Sequence, residues 1–582
     1  MTTATIDLRK RSRARPSAEV RLASSVRSAL LTRPETLALA VVAAVGYIVA
    51  AWVFRYHFGY AVGDALARSA KAVYMGASRD PHFGAVGFYW PPLPSTIQIP
   101  LVLALKSSGR MDFAGPLSTA LLTAGSILVL GRICGELGLG RPTSLVLCIL
   151  FGANPVIFVY AINGMSEACA YLCILVVLLA WLRWVRRREV EDLAVMGVAL
   201  AALVMTRIET IPLAIGLGIV VGAGRDVRQW IARAVTVALP ALVATALWMA
   251  TQFILLGDAL AFLHYGTGQG GEPHGYTAVF RHEYDLPAHG GYLATVPWAL
   301  AWVVVFAPGV LALLALGMAR PRRHLYVACG LACVASVFPL VQMYLIEHQT
   351  GFGDPRYFSG MIPVGAVAVA YLAAVMRGTA PQPMPVFRSE ADDDGSPPAS
   401  AGVPTRPPRL VLRRIGGLMI GCTLAVTGVV GLVYMLPANR TRIGDEHFVF
   451  QILLGERVQR QHLLAPSAAL SAYLDPYQAK GQLAILDTDY AFAVVLLSKH
   501  PSGFIIPEDR DFLTTLEDPA GKFQWIVAPA TPAATNGVSD QITPLITPPN
   551  YWAKAGVYGD LVLWHFVGPA SAQSSSVPSA GT

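Results

Sequence analysis

The sequence predicts a mainly α, polytopic membrane protein of about eleven transmembrane helices, followed by a C-terminal extracytoplasmic α/β domain. Three observations carry this. Hydrophobic residues make up 54% of the 582 positions and charged residues only 14%, and the mean hydropathy of +0.52 is too apolar for a soluble enzyme of this length. Apolar runs near the roughly 20 residues that cross a hydrocarbon core recur along the chain, with basic residues gathered at their ends. Near Pro437 the composition changes to short, strand-length apolar runs separated by helical patterns.

The formal charge of +8 does not describe a nucleic-acid surface, because the arginines and lysines sit at span ends and in one short tail. Residues 1–35 form a basic tail, with Arg9, Lys10, Arg11, Arg13, Arg15, Arg21, Arg27 and Arg33. No apolar run among them could serve as a cleaved signal, so the N-terminus is expected in the cytoplasm. All seven cysteines lie in or beside apolar spans, where they read as small buried fillers and not as a disulfide framework.

Excess Lys and Arg on the inner side orient the spans. Span 1 (about 36–56) exits into a large outer loop at 57–112. The apolar run at 93–105 is short and crowded at its start by Pro91, Pro92 and Pro94, so it reads as an interfacial or re-entrant helix. Spans 2 (113–132), 3 (143–162) and 4 (165–184) then bring Arg183, Arg186, Arg187 and Arg188 inside. The stretch 191–224 reads as two short helices, spans 5 and 6, broken at Thr206-Arg207-Ile208-Glu209-Thr210-Ile211-Pro212 near the outer face. Span 7 (235–256) exits into an outer lid loop at 257–291, span 8 (292–318) returns to Arg320, span 9 exits before Glu347, and span 10 (358–376) goes in. The Pro-rich, acidic segment 377–410 cannot bury a core and reads as a cytoplasmic linker. The last span, 411–435, places the domain at 436–567 outside, with a small polar, disordered tail at 568–582. Within that domain, 483–486, 504–506, 523–527 and 561–564 read as strands.

Two acids stand at the outer face of this arrangement: Asp64 after span 1 and Glu167 at the top of span 4. Converging carboxylates beside a lipid-accessible cavity suit a reaction in which a hydroxyl loses a proton while attacking an activated carbon. Either acid could equally be an ordinary interfacial residue, Asp64 as a helix cap and Glu167 with Asn163 and Ser166 as capping partners. Arg207 and Glu209 sit within an apolar stretch, where ionisable groups are costly and face a cavity or each other. Arg207 is a candidate to hold a phosphate, as is Arg356, whose alternative is an ion pair with Asp354 or Glu347. Tyr89 and Trp90 could stack on a sugar or simply anchor the interface. His264 and His282, in a loop whose glycines suggest mobility, are candidate substrate contacts. No histidine pair there has helical zinc spacing, and no metal ligand is assigned.

In their order, these features resemble the GT-C superfamily of polyprenyl-phosphate-sugar-dependent glycosyltransferases. The branch is that of protein O-mannosyltransferases, aminoarabinose transferases and actinobacterial mannosyl- or arabinosyltransferases. The shared elements are Asp64, the Pro91-Pro92-Leu93 segment, Glu167, Arg207 between two short helices, the Arg356-Tyr357 entry to a late span, and a terminal soluble domain. Many relatives carry a paired acid where Asp64 stands alone, and several have Asp where Glu167 stands. The resemblance implies a GT-C-type fold and inverting transfer of a sugar, mannose or arabinofuranose first, from a polyprenyl-phosphate donor to an extracytoplasmic glycan, lipid or protein. Asp64 would be the base, Glu167 a second catalytic acid, Arg207 and Arg356 the donor-phosphate residues, and Tyr89, Trp90, Glu209, His264, His282 and Tyr357 substrate contacts. No cofactor is assigned, and a divalent cation at the acids is left open. The bilayer is the other expected partner, in the plasma (inner) membrane. The rival readings are a transporter or lipid flippase, and a membrane scaffold whose outer domain binds cell-wall polymer.

Overall fold

The computed structural model describes residues 33–87, 90–222, 226–261, 291–347, 355–380, 449, 451–452, 455, 464–517, 521–530, 542 and 551–568. The basic tail up to residue 32, Tyr89, His264, His282, most of the linker, the span expected at 411–435 and the tail beyond 568 lie outside them. The chain is a mainly α-helical, multi-pass membrane protein with a small C-terminal α/β domain. Among the described residues six helices are long and apolar enough to cross a membrane, or eight if each of two bent pairs counts as one span.

The first helix, α1 (Pro34–Trp52), turns its valines outward, with Val41, Val42, Val45 and Val49 all exposed, as a lipid-facing surface requires. After one wider turn it reaches α2 (Gly63–Gly76), and α3 (Leu93–Leu105) follows. At 13 residues, α3 spans only about 20 Å at 1.5 Å per residue, too short to cross. Next come α4 (Ala114–Glu136), α5 (Arg141–Gly152), α6 (Pro155–Ile162) and α7 (Glu167–Arg187).

The stretch read as span 3 is two helices, α5 and α6, bent by 63°. Asn154 causes the break: its side chain accepts the Val156 and Ile157 N–H groups, and Pro155 starts the new helix. The stretch read as span 8 is likewise bent, by 95° at Ala307-Pro308, since a residue before proline is pushed out of the helical region. Spans 5 and 6 appear as α8 (Val190–Val204) and α9 (Ile211–Gly222). Then follow α10 (Val227–Leu256), α11 (Gly291–Phe306), α12 (Pro308–Ala319), α13 (Tyr326–Glu347) and α14 (Met361–Arg377). The centre of the bundle is α7 and α14, buried along most of their lengths, whereas α10 exposes Leu239, Leu247, Phe253 and Ile254.

The C-terminal domain is built from α15 (Ala465–Gln478), β1 (Ala484–Leu486), α16 (Thr488–Leu497), β2 (Phe504–Ile505), α17 (Phe512–Glu517), β3 (Trp525–Pro529), β4 (Trp552–Tyr558) and β5 (Leu561–Phe566). The sheet order is β2-β1-β3-β5-β4, parallel where β1 meets β2 and β3 and antiparallel where β5 meets β3 and β4. Alternation sorts its side chains to two faces. Ile485, Ile526 and Trp552 pack with Phe512 and Phe523. Ala484, Leu486, Trp525 and Val527 pack with Leu470, Leu474 and Val494, in one core with Leu66, Ala70, Val73 and Tyr74 of α2. Thus α2, which carries Asp64, is a structural element of the C-terminal domain as much as of the bundle.

Candidate functional site

Helix α2 puts Asp64 in its first turn, where an acid is favoured by the helix dipole. The carboxylate does not cap the helix; its Oδ2 faces both Nη atoms of Arg356 at 3.4 Å. Those contacts are longer than the roughly 2.7–2.9 Å of a well-made charge-assisted bond. Arg356 also donates to the Tyr357 hydroxyl at 2.9 Å and lies over the Tyr357 ring. Arg207 approaches the same ring, at 5.3 Å from its centroid, so Tyr357 links the two arginines.

Glu167 opens α7 after a tight turn. Gly164 there has φ +86°, and a Cβ on it would lie 3.1 Å from the backbone and ring of Gly115 and Pro116, so glycine is required twice over. Asn163 accepts the Met165 N–H at 3.0 Å, while Ser166 caps nothing with its side chain. The buried Glu167 carboxylate takes Arg207 Nη1 at 3.0 Å through Oε1. Its Oε2 is buried with no hydrogen-bond partner among the described residues. Arg207 also donates through Nε to Glu209, so its ion pairing within the break between α8 and α9 is real, yet it reaches Glu167 as well.

Arg68, four residues after Asp64 on the same helix, went unassigned in the sequence. It is buried and within electrostatic reach of Asp64, Glu167, Arg207 and Arg356. Its Nε and Nη1 are buried without a hydrogen-bond partner among the described residues, and its guanidinium lies 4.6 Å from the Trp90 ring centroid. Burial pushes the guanidinium below its usual range and the two carboxylates oppose this, but an arginine starts so high that it stays charged. The signal that could have found it is the i, i+4 acid-to-base spacing, legible once 63–76 is known to be helix. Lys71, one turn further on, is 5.6 Å from the same ring. A Cβ at Gly87, with φ +63°, would strike its ammonium.

The structure therefore brings Asp64, Glu167, Arg207, Glu209, Arg356, Tyr357 and Trp90 together, with Arg68 among them. Three guanidiniums face three carboxylates at one end of the bundle, beneath the C-terminal domain. A crevice alongside is lined by Tyr60, Val62, Ala65 and Asn163, and by the buried Arg55–Asp112 ion pair at 2.7 Å, which ties the end of α1 to the start of α4. Among the described residues, no group of three or more His, Cys, Asp or Glu side chains converges as a metal cage.

No family model matches the chain, and no curated protein matches it. Among solved structures, the crystal structure of ArnT from Cupriavidus metallidurans in the apo state is similar, at 14% identity and a TM-score of 0.47, over 90% of this chain and 97% of that one. Values this low leave the functional case to the site itself.

Proposed function

We propose that the chain is a membrane glycosyltransferase of the GT-C type, transferring a sugar, mannose or arabinofuranose, from a polyprenyl-phosphate donor to an extracytoplasmic glycan, lipid or protein. The observation that carries this reading is the meeting of Asp64 and Arg356 at the end of the bundle that also holds Arg207, Glu167 and Arg68, whose Nε and Nη1 have no hydrogen-bond partner among the described residues. A carboxylate suited to act as base and guanidiniums shaped for phosphate, standing side by side, support this reading.

In this reading the acceptor hydroxyl gives its proton to Asp64 as its oxygen bonds the anomeric carbon from the face opposite the phosphate. The bond from that carbon to the phosphate oxygen breaks, and polyprenyl phosphate leaves with one more negative charge. Arg356, Arg207 and Arg68 hold that charge, and the proton captured by Asp64 offsets it within the site. The loose Asp64–Arg356 contact has a role before chemistry: an arriving phosphate draws Arg356 away and leaves Asp64 free to act as base. Glu167, gripped by Arg207, positions that arginine, and Trp90 and Tyr357 offer ring faces for the sugar.

Arg356→Ala and Arg207→Ala each remove a contact that exists before the transition state. Each should weaken binding of a polyprenyl-phosphate sugar to the purified protein by about ten- to hundred-fold, the scale of one hydrogen bond to a charged group. Unchanged donor affinity in both would remove these residues from the donor site.

A further inference from the structure

A second ionic cluster lies at the opposite end of the bundle. Glu136, the last residue of α4, receives Arg183 Nε at 3.0 Å, Arg187 Nη2 at 3.2 Å, Arg186 Nη1 at 3.5 Å and Arg132 Nη2 at 3.6 Å. Arg183 and Arg187 are one helical turn apart on α7, about 24 Å or more from Glu167 along that helix at 1.5 Å per residue. The cluster is thus remote from the site proposed above and independent of that reading.

Four guanidiniums on one carboxylate leave a large positive excess. Asp192 at the start of α8 lies in electrostatic reach of Arg183 and Arg187, with Glu189 beside it, yet even with both the four cations outnumber the three anions. Such an excess is costly in a half-buried place unless an anion joins it. Arg183 supplies a donor without a partner: it is 8% exposed, and its Nη2, like Arg188 Nη2 and the Asp192 Oδ2 acceptor, is buried with no hydrogen bond among the described residues. The cluster is also open on one side, since the Arg186 side chain is 55% exposed and that of Arg187 33%. Just beyond, Trp184 and Tyr326 are stacked against Arg188, an aromatic and basic pairing suited to headgroup level. Arg188 is itself held at φ +58°, the one non-glycine residue with positive φ among those described.

We infer that this cluster binds a phosphate group, and specifically the headgroup phosphate of an anionic membrane lipid. Planar guanidinium forks match phosphate oxygens two at a time, and basic pockets between transmembrane helices on the inner side are where anionic headgroups seat. The phosphate would take Arg183 Nη2 and the open edges of Arg186 and Arg187, sharing the cations with Glu136.

Native mass spectrometry of the full-length protein with phosphatidylglycerol or phosphatidylcholine tests this, with thermal stability in inorganic phosphate as a parallel arm. Wild type should retain phosphatidylglycerol in preference to phosphatidylcholine. Arg186→Gln and Arg187→Gln should each cut that preference by about five-fold, the scale of one basic residue at an anionic lipid surface. Glu136→Gln removes the competing carboxylate and should keep or raise the preference, which a purely structural ion-pair cluster would not do. Stabilisation by inorganic phosphate that is lost in the same variants, with no lipid preference, would assign the site to the free ion and overturn the lipid source. Equal retention of both lipids with no phosphate effect, or a preference untouched by Arg186→Gln and Arg187→Gln, would overturn the proposal.

Discussion

Glu508 shows how a single group in the C-terminal domain feels the helix that carries Asp64. Thr488 donates its hydroxyl to both carboxylate oxygens, at 3.1 and 3.2 Å. Burial pushes the Glu508 carboxyl from 4.5 up to about 7, with the Lys71 ammonium opposing and Asp489 adding to the rise. A carboxyl raised on folding contributes stability that is fully present below its ordinary range and is lost as the pH climbs through about 7. Glu508→Gln abolishes that loss. The variant should therefore melt higher than wild type at pH 8 and nearly the same at pH 4, with a ceiling of about 3 kcal/mol at roughly 1.4 kcal/mol per pH unit. An equal difference at both pH values would show that the group does not titrate in this range.

At the scale of elements, the C-terminal domain is fastened to the segment between the first two long apolar helices by α2 and by ion pairs just beyond it. Arg79 donates to the buried Asp509 at 2.8 Å and also to Asp511, while Arg510 pairs with Asp80. The Arg79 and Asp509 positions are 430 residues apart in sequence. Asp511 and Asp80 are both held below the usual carboxylate range by these guanidiniums, so this clamp is present at neutral pH and weakens as the pH falls. Arg79→Ala leaves the buried Asp509 carboxylate without its cation and should destabilise the protein by about 1–3 kcal/mol. Because Val73 and Tyr74 of α2 share a core with Leu486 and Val494, the same variant should slow sugar transfer although it lies outside the site. A variant that melts early while keeping full turnover would separate the domain from the placement of Asp64.

For the whole molecule, the apolar runs were legible because membrane burial leaves a length and composition signature that needs no partner. The proline-crowded helix at 93–105, the break around Arg207 and four of the five strands were legible for similarly local reasons. What escaped depends on distant sequence: α2 is a short helix with one face against the C-terminal domain, so Arg68 could not be read as facing the site. Strand β4 escaped because it is a half-exposed member of a hairpin whose turn is Gly559-Asp560. Arg33, which donates to the Leu139 carbonyl, and the arginine cluster at Glu136 share the end of the bundle away from the C-terminal domain, the end the positive-inside rule would put in the cytoplasm. In intact cells an impermeant thiol reagent should label Lys554→Cys and spare Arg186→Cys, scored against the parent chain. Labelling of both, or of Arg186→Cys alone, would contradict this orientation.

The most direct test of the central claim is sugar transfer by the purified protein in liposomes, comparing wild type with Asp64→Asn. The change is nearly isosteric and keeps an oxygen toward Arg356, so fold and donor binding should persist. Wild type should transfer a sugar from a polyprenyl-phosphate donor, and Asp64→Asn should be slower by about 100- to 10,000-fold, the cost of losing a general base. Near-wild-type turnover by Asp64→Asn, or no transfer by the wild type from any polyprenyl-phosphate sugar, would contradict the account.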